Sequence, residues 1–294
     1  MKLWGQARTT LEMIKWEHSV FALPFALTGA MLAASGVPRL GQVGWIVVAM
    51  VAARSAGMAF NRWADAELDA VNPRTKMRAI PAGILSRGFV GWFTVVSSGV
   101  FLVAASRLNR LTLLLAPAVL AVLLLYSYTK RFTRWSHLFL GLALGIAPAG
   151  AWVAVRGSLD PRILVLTLIV LCWVGGFDML YACQDAEHDR AAGLQSLPAS
   201  LGVRGAFRVA RVLHLAMLGL ALWLVHLFAL GVLAWVGIAL VAVLLGYEHW
   251  IVSPNDLSRM DAAFFTTNGL VSVVFFGFVA ADLLLRGRMG IVLN

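Results

Sequence analysis

The sequence predicts an all-α integral membrane protein with nine transmembrane helices, arranged as two parallel four-helix repeats plus one final helix. Three observations predict this fold class. Of the 294 residues, 61% are hydrophobic and 13% are charged, whereas a soluble domain is about half apolar and about a quarter charged. The apolar residues fall in long uninterrupted runs. Two acidic motifs recur at a fixed separation.

The apolar runs define the membrane spans, because a run of about 18 or more apolar residues can cross a bilayer as a helix. Nine runs qualify, at 19–37, 42–61, 88–106, 110–128, 137–156, 162–184, 205–227, 230–249 and 264–285. Residues 1–18 mix charged and apolar side chains. That mixture predicts an interfacial amphipathic helix rather than a cleavable signal peptide.

The loops between the spans fall alternately on two sides, and their basic residues are unequally divided. The side that holds the N-terminus carries sixteen Lys and Arg, and the other carries seven. Since basic loops stay in the cytoplasm, we expect a multi-pass protein of the cell inner (cytoplasmic) membrane with a cytoplasmic N-terminus. The scattered basic residues predict contact with the lipid bilayer and not with nucleic acid. The sequence makes no prediction of the oligomeric state.

Two motifs indicate an internal duplication. Asn61, Asp65 and Asp69 are spaced by four residues, and each is followed 120 positions later by Tyr181, Asp185 and Asp189 respectively. Four spans separate the motifs, so both helices cross in the same direction. We therefore expect one domain over 1–294, with repeat halves at about 19–136 and 137–263 and a last helix at about 264–285.

The aspartates are the candidate metal ligands. Residues four apart share a helix face, so Asp65 and Asp69 can point at one volume, and Asp185 and Asp189 can do the same. Mg2+ prefers oxygen ligands and binds one or two carboxylates together with substrate phosphates, so two acidic pairs facing a shared pocket predict a diphosphate clamp. With Asn61, the four aspartates are the candidate catalytic residues. The competing interpretation, solvated helix ends with local salt bridges, is disfavoured by the matched spacing.

A diphosphate also needs cationic partners, and four basic residues lie next to the acidic motifs. Arg74 and Arg78 follow the first motif, and Lys130 and Arg131 end the fourth span. Arginine contacts phosphate through two parallel hydrogen bonds and lysine acts as a point charge. The alternative role for such residues is to set topology or to contact lipid headgroups.

Arg54 lies inside the second span, where a charged residue usually faces a cavity and has a partner. That partner is either Asp178 or the anionic group of a substrate, and the substrate is favoured. Asp178 and Tyr181, two turns and one turn before Asp185, complete the candidate acceptor site. Glu17, His18, His137, His188 and His249 lie near span ends and are interpreted as interfacial.

The two motifs resemble the signatures of a known family. Arg54-Ser-Ala-Gly-Met-Ala-Phe-Asn61-Arg-Trp-Ala-Asp65-Ala-Glu-Leu-Asp69 followed by Asn72-Pro-Arg-Thr-Lys-Met-Arg78 resembles the first signature of the UbiA superfamily of membrane prenyltransferases. Asp178-Met-Leu-Tyr181-Ala-Cys-Gln-Asp185-Ala-Glu-His-Asp189 resembles the second. The closer likeness is to bacterial 4-hydroxybenzoate polyprenyltransferases and their menaquinone relatives of the futalosine route. It is carried by Glu17-His-Ser-Val-Phe-Ala-Leu-Pro-Phe, Ser127-Tyr-Thr-Lys-Arg-Phe-Thr and Tyr247-Glu-His.

The resemblance implies a central cavity that opens sideways to lipid, with Mg2+ held through the four aspartates to a polyprenyl diphosphate. It implies transfer of the polyprenyl group to the ring of an aromatic acid, with diphosphate released, in ubiquinone or menaquinone biosynthesis. Ala66 and Ala79-Ile80 depart from the usual pattern, where Arg and Arg-Pro-Leu are common. These departures leave the metal site intact and bear on the choice of acceptor.

Other functions stay open at this stage. Within the enzyme class, the acceptor could be a dihydroxynaphthoate-type precursor, haem, a chlorophyllide or a lipid glycerol, and Arg54 favours a carboxylated one. Outside that class, a secondary transporter would explain parallel repeats and intramembrane charge. It does not explain four aspartates in two matched clusters at one membrane face, since a transport site lies near the midplane.

Overall fold

The computed structural model describes residues 2–14 and 19–288, and within them the fold is entirely helical apart from one isolated bridge between Ser253 and Asp256. The helices are α1 (Lys2–Ile14), α2 (Ser19–Ala34), α3 (Leu40–Ala64), α4 (Ala66–Val71), α5 (Arg87–Leu108), α6 (Arg110–Leu125), α7 (Ser136–Arg156), α8 (Ile163–Ala182), α9 (Ala186–Ala191), α10 (Leu197–Leu227), α11 (Val232–Ile251) and α12 (Asn268–Arg288). Short 3-10 turns cover Tyr126–Arg131 and Cys183–Asp185, and a π-helical turn, Ala262–Thr267, precedes α12.

The predicted membrane class is confirmed. Eight segments of the described chain are long and apolar enough to cross a bilayer, and the shorter apolar helix Phe21–Ala34 brings the membrane helices to nine. The first of the nine membrane helices, α2, is shorter than the predicted span 19–37. It ends at Ala34 because Ser35 and Gly36 have φ angles of 51° and 155°, which a right-handed helix does not allow. Pro38 follows and keeps the chain extended.

The nine membrane helices form a closed ring in which each packs against the next. In order around the ring they are α2, α3, α5, α6, α7, α8, α10, α11 and α12, which returns to α2. Helix α2 also packs across the ring against α7. The amphipathic α1 lies against the first half, since its Met13 and Ile14 pack with Ala59, Leu85 and Val90.

The two acidic motifs have matching backbones, as a parallel duplication requires. Asp65 lies between α3 and α4 with φ −96° and ψ 7°, and Asp185 lies before α9 with φ −103° and ψ 2°. The short helices that follow, α4 and α9, are both six residues long. Helix α3 therefore ends directly before Asp65, α8 continues into a 3-10 turn that ends at Asp185, and a new short helix begins after each aspartate.

Small residues bring α7 and α8 into close contact beside the cavity, as is common between membrane helices. A Cβ atom at Gly145 would lie 2.7 Å from the carbonyl oxygen of Thr167, and one at Gly141 would lie 2.5 Å from that of Leu171. Since both opposing atoms are backbone, neither can move aside without shifting α8. The two glycines set the distance between the helices.

We expect Gly145→Ala to destabilise the protein, because the added methyl group forces α7 and α8 apart, and overpacking costs about 1–3 kcal/mol. The measurement is the midpoint of thermal unfolding in detergent. The matched control is Gly150→Ala on the same helix, where a Cβ meets nothing within 4 Å. That variant should match or slightly exceed the wild type, since alanine favours a helix over glycine. Equal midpoints for the two variants would contradict this account.

Candidate active site

A cavity of about 980 Å³ is lined by the helices of the first half together with α7 and α8 of the second half. All twelve side chains that the sequence singles out line it: Arg54, Asn61, Asp65, Asp69, Arg74, Arg78, Lys130, Arg131, Asp178, Tyr181, Asp185 and Asp189. The rest of the lining is largely apolar, from Ile46 and Met50 on α3 to Leu115 and Val119 on α6. Charge is thus concentrated at one end of a hydrophobic chamber.

The aspartate pairs do not lie on continuous helices, so that prediction is wrong. α3 ends at Ala64, and a 3-10 turn separates α8 from α9. The four-residue spacing is nevertheless helical in the first motif. The Asp65 amide donates to the Asn61 carbonyl at 2.9 Å, and the Asp69 amide donates to the Asp65 carbonyl at 2.7 Å. The break turns the second aspartate of each pair inward, where Asp69 and Asp189 are 6% and 3% exposed.

Each of the four aspartates faces one of the four predicted cations. Arg74 donates through Nε and Nη2 to both oxygens of Asp185, and Arg78 Nη1 lies 2.6 Å from Asp69 Oδ1. The other two contacts are longer: Arg131 to Asp65 at 3.4 Å and Lys130 to Asp189 at 3.6 Å. Both Asp185 and Asp189 of the second half therefore pair with cations from the first half.

The acidic pairs retain unused coordinating capacity. Among the described residues, Asp69 Oδ2 and Asp189 Oδ2 are buried without a hydrogen-bond partner, which is costly for a carboxylate oxygen. Lys130 Nζ lies 3.6 Å from Asp189 Oδ2, an ion-pair distance. Burial, and then the neighbouring Asp69 carboxylate, raise the pKa of Asp65. Both features fit a site that binds a further cation.

The donor set fits Mg2+ together with a substrate. Within residues 2–14 and 19–288, no three acidic, His or Cys side chains converge closely enough to hold a metal ion by themselves. Mg2+ is commonly bound by one or two carboxylates, with phosphate and water oxygens completing six ligands. Two aspartate pairs at the mouth of one cavity meet that requirement if a diphosphate lies between them.

Asn61 and Asn72 hold the aspartates from the side. Asn61 Nδ2 donates to Asp65 Oδ2 at 2.8 Å, and Asn72 Nδ2 reaches Asp185 Oδ1 at 3.4 Å. Asn72 is 9% exposed and was not among the predicted site residues. The Asn-Pro sequence that begins the basic loop would have been the only signal for it.

Arg54 faces the cavity with no partner among the described residues, and its buried Nε makes no hydrogen bond. The proposed pairing with Asp178 is wrong. Asp178 Oδ2 instead accepts a hydrogen bond of 2.7 Å from Nδ1 of His137. His137 is fully buried, so its interfacial interpretation is also wrong.

Two tyrosines, Tyr181 and Tyr126, line the cavity. The Tyr181 hydroxyl accepts from Arg74 Nη1 at 3.2 Å, and its ring lies 4.3 Å from that of Phe264. Tyr126 lines the cavity within electrostatic reach of Arg54, Asp178 and Asp65. The sequence prediction missed Tyr126, although it stands in the same segment as Lys130.

The other histidines that were interpreted as interfacial have different surroundings. His188 lines the cavity. His249 is held by His214, whose Nδ1 lies 3.0 Å from His249 Nε2, so an interfacial role does not describe it. Glu17 and His18 lie outside the described residues. Glu67 and Glu187, which lie between the two aspartates of each pair, are both exposed.

Comparison with known proteins identifies the family. The model of the UbiA prenyltransferase family matches residues 22–270. The chain belongs to the UbiA prenyltransferase family. It is therefore an integral membrane prenyltransferase, as the resemblance of its motifs indicates. A secondary transporter is set aside by this membership.

Relatives and solved structures agree with the UbiA assignment. The chain is 31% identical to the 4-hydroxybenzoate octaprenyltransferase of Ralstonia nicotianae, covering 84% of each chain. It is 32% identical to that of Cupriavidus necator, covering 86% of this chain and 88% of the relative. The apo structure of a UbiA homolog from Aeropyrum pernix K1 matches with a TM-score of 0.83 and 34% identity over 91% of this chain and 98% of that one.

A more distant structure shares the UbiA fold. It is a UbiA homolog from Archaeoglobus fulgidus bound to GPP and Mg2+, with a TM-score of 0.68 and 15% identity over 94% of this chain and 99% of that one.

Proposed function

We propose that this UbiA protein is a Mg2+-dependent polyprenyltransferase that acts on a 4-hydroxybenzoate-type aromatic acid. It transfers the polyprenyl group of a polyprenyl diphosphate to the ring, with release of diphosphate, in respiratory quinone biosynthesis. The observation that carries the proposal is the arrangement of charge in one cavity. Four aspartates matched to four cations form one end, and Arg54, which has no partner among the described residues, faces the apolar chamber.

The diphosphate end works by charge stabilisation. Asp65, Asp69, Asp185 and Asp189 would hold Mg2+, which supplies charge neutralisation to the leaving group when bound. The four cations that pair with these aspartates can exchange a carboxylate oxygen for a phosphate oxygen when the diphosphate binds. They are Arg74, Arg78, Lys130 and Arg131. Donors fixed where negative charge develops lower the barrier to breaking the allylic C–O bond.

The apolar part of the cavity protects the reactive intermediate. An allylic cation forms as the diphosphate leaves, and the hydrophobic lining, which includes Phe177 and Phe264, excludes water that would quench it. The electron-rich aromatic ring is then the available nucleophile. The two relatives named 4-hydroxybenzoate octaprenyltransferase support an acceptor of this type.

Arg54 provides the acceptor contact. Its guanidinium is half-buried and has no partner among the described residues, so a ligand carboxylate would satisfy it with two parallel hydrogen bonds. Tyr126 lies within electrostatic reach of Arg54, where it can contact the same ring. Tyr181 joins this region to Arg74.

We also propose that the diphosphate end faces the cytoplasm of the inner membrane. The excess of basic residues on that side supports this orientation, which would expose the site to water-soluble acceptors and Mg2+. A single cysteine placed at the exposed Glu67, in a variant whose buried Cys172 and Cys183 are replaced by Ser, tests it. We expect a membrane-impermeant thiol reagent to label that cysteine in inverted vesicles and not in intact cells, and the reverse pattern would contradict the orientation.

The function is tested by incubating membranes with one labelled polyprenyl diphosphate, Mg2+ and a panel of aromatic acids, then identifying the product by mass. The panel contains 4-hydroxybenzoate, a dihydroxynaphthoate and the 4-hydroxybenzoate methyl ester. We expect a ring-prenylated acid from the first and little product from the ester, which lacks the carboxylate. If only the naphthoate gave a product, a dihydroxynaphthoate would replace 4-hydroxybenzoate as the proposed acceptor. If no acid were prenylated, the proposal would be overturned.

We expect removal of divalent metal to abolish the release of diphosphate. Without it, the two aspartate pairs repel a diphosphate instead of binding it, so chelation with EDTA should stop turnover and added Mg2+ should restore it. Ca2+ should restore less, because it is larger and adopts a looser geometry. Diphosphate release is measured with a coupled enzyme that is itself assayed under each condition. Undiminished release after chelation would contradict metal dependence.

A further inference from the structure

Asp178 and His137 form a polar pair that the diphosphate site does not use. His137 begins α7 and is fully buried, and its Nδ1 donates to Asp178 Oδ2 at 2.7 Å. Asp178 lies on α8, seven residues before Asp185, which is about 10 Å along a helix. Among the residues that the structure describes, His137 is the only ionisable side chain paired with it.

The two carboxylate oxygens of Asp178 are in different environments. Oδ2 is held by His137, whereas Oδ1 makes no hydrogen bond to a described residue and remains accessible in the cavity wall. The other ring nitrogen of His137, Nε2, is buried and has no hydrogen-bond partner among the described residues. His137 therefore fixes the carboxylate and has no access to a substrate itself.

Asp178 lies on the acceptor side of the site. Arg54, Tyr126 and Asp178 all line the same cavity, and Tyr126 is within electrostatic reach of the other two. The four aspartates that face cations are committed to charge neutralisation. Asp178 faces no Lys or Arg among the described residues and keeps an open oxygen, which is the arrangement of a base.

We infer that Asp178 accepts the proton that the aromatic ring loses after prenylation. When the new C–C bond forms, the ring becomes a cation that still carries hydrogen at the attacked carbon. That C–H bond then breaks, its electron pair restores the aromatic ring, and the proton bonds to Asp178 Oδ1. No oxidant or reductant is needed. His137 is a positioning residue, and the inference rests on the proposed transfer to an aromatic ring.

The test compares the acceptor with a form deuterated at the ring position that is prenylated. In the wild type we expect ionisation of the diphosphate to limit the rate, and therefore no isotope effect. In Asp178→Asn, whose amide oxygen still accepts from His137, kcat should fall roughly 100-fold or more. Proton loss should then become limiting, and a normal primary isotope effect should appear. The acceptor KM should change much less than kcat.

Variants of His137 test the positioning role. His137→Asn can place a donor near the position of Nδ1 and should retain much of the activity, whereas His137→Ala should show the same isotope effect as Asp178→Asn. The exposed Glu187 supplies the control Glu187→Gln, with unchanged kcat and no isotope effect. Since an isotope effect compares two substrates on one enzyme, it does not depend on how much of a variant is folded.

The outcomes separate the two proposals. A loss of activity in Asp178→Asn without an isotope effect, or with a change confined to the acceptor KM, would overturn the assignment of Asp178 as the base. Wild-type kcat in that variant would overturn it as well. If the wild type releases diphosphate but prenylates no aromatic acid, the proposed function itself fails.

Discussion

Replacing Asp185 with alanine is expected to lower kcat/KM for the polyprenyl diphosphate by roughly 100- to 1,000-fold, the range measured when one preorganised charge-stabilising contact is removed. The substitution removes two functions of the Asp185 side chain at once. The side chain is a proposed Mg2+ ligand, and it accepts both Arg74 hydrogen bonds. Without it, Arg74 loses its fixed position at the mouth of the cavity. The measurement is prenyl transfer in detergent across a Mg2+ titration.

The same motif provides the control for this experiment. Glu187 lies two residues after Asp185 but is exposed, so Glu187→Ala should leave activity unchanged. In the first half, Asp65→Ala and Glu67→Ala form the equivalent pair, since Glu67 makes only an exposed contact with Arg87, and such contacts contribute little. Activity near that of the wild type in Asp185→Ala at saturating Mg2+ would end the metal-clamp proposal.

Loss of folding has to be separated from loss of chemistry in these variants. Asp185→Asn keeps the shape of the side chain and one acceptor for Arg74, but it removes the negative charge. If charge is what matters, the asparagine variant should be nearly as inactive as the alanine variant while its unfolding midpoint stays close to that of the wild type. A fully active asparagine variant would show that Asp185 serves packing or hydrogen bonding alone.

The sequence allowed the membrane helices and the acidic motifs to be predicted because both signals are local. An apolar run reports burial in lipid whatever its neighbours are, and the 120-residue offset between motifs survives as two matching backbone turns at Asp65 and Asp185. The early end of the first span was missed because it depends on two positive φ angles after Ala34. Propensity alone does not reveal such a turn.

Pairings between distant segments could not be predicted in this way. Arg74 meets Asp185 across 111 residues and His137 meets Asp178 across 41, and both contacts depend on how loops and helix starts are packed. The sequence identified Arg54 as an intramembrane charge and gave Asp178 as the alternative to a substrate for its partner. Asp178 is instead held by His137. A buried histidine carries no such signal, since its polarity is less conspicuous than that of an arginine or an aspartate.

Replacing Arg54 with alanine is expected to raise the acceptor KM by roughly 100-fold, since losing one partner of a buried, hydrogen-bonded charge pair costs about 2–5 kcal/mol. The KM for the polyprenyl diphosphate should change far less, because the cations at the mouth of the cavity are intact. The acceptor KM of Arg54→Lys should fall between those of the wild type and Arg54→Ala, because lysine keeps the charge but loses the paired hydrogen bonds. A larger effect on the diphosphate KM would overturn the acceptor assignment.

The stability of the Arg54→Ala variant separates a binding role from a structural one. In the substrate-free protein the guanidinium has no partner among the described residues, and its buried Nε is unsatisfied, so it lowers stability. Removing it should therefore leave the unfolding midpoint unchanged or raise it, the usual relation between a binding residue and stability. A structural arginine would give the opposite sign, because its removal would orphan the group that it paired. A lowered midpoint with an unchanged acceptor KM would assign Arg54 to the fold and remove it from the acceptor site.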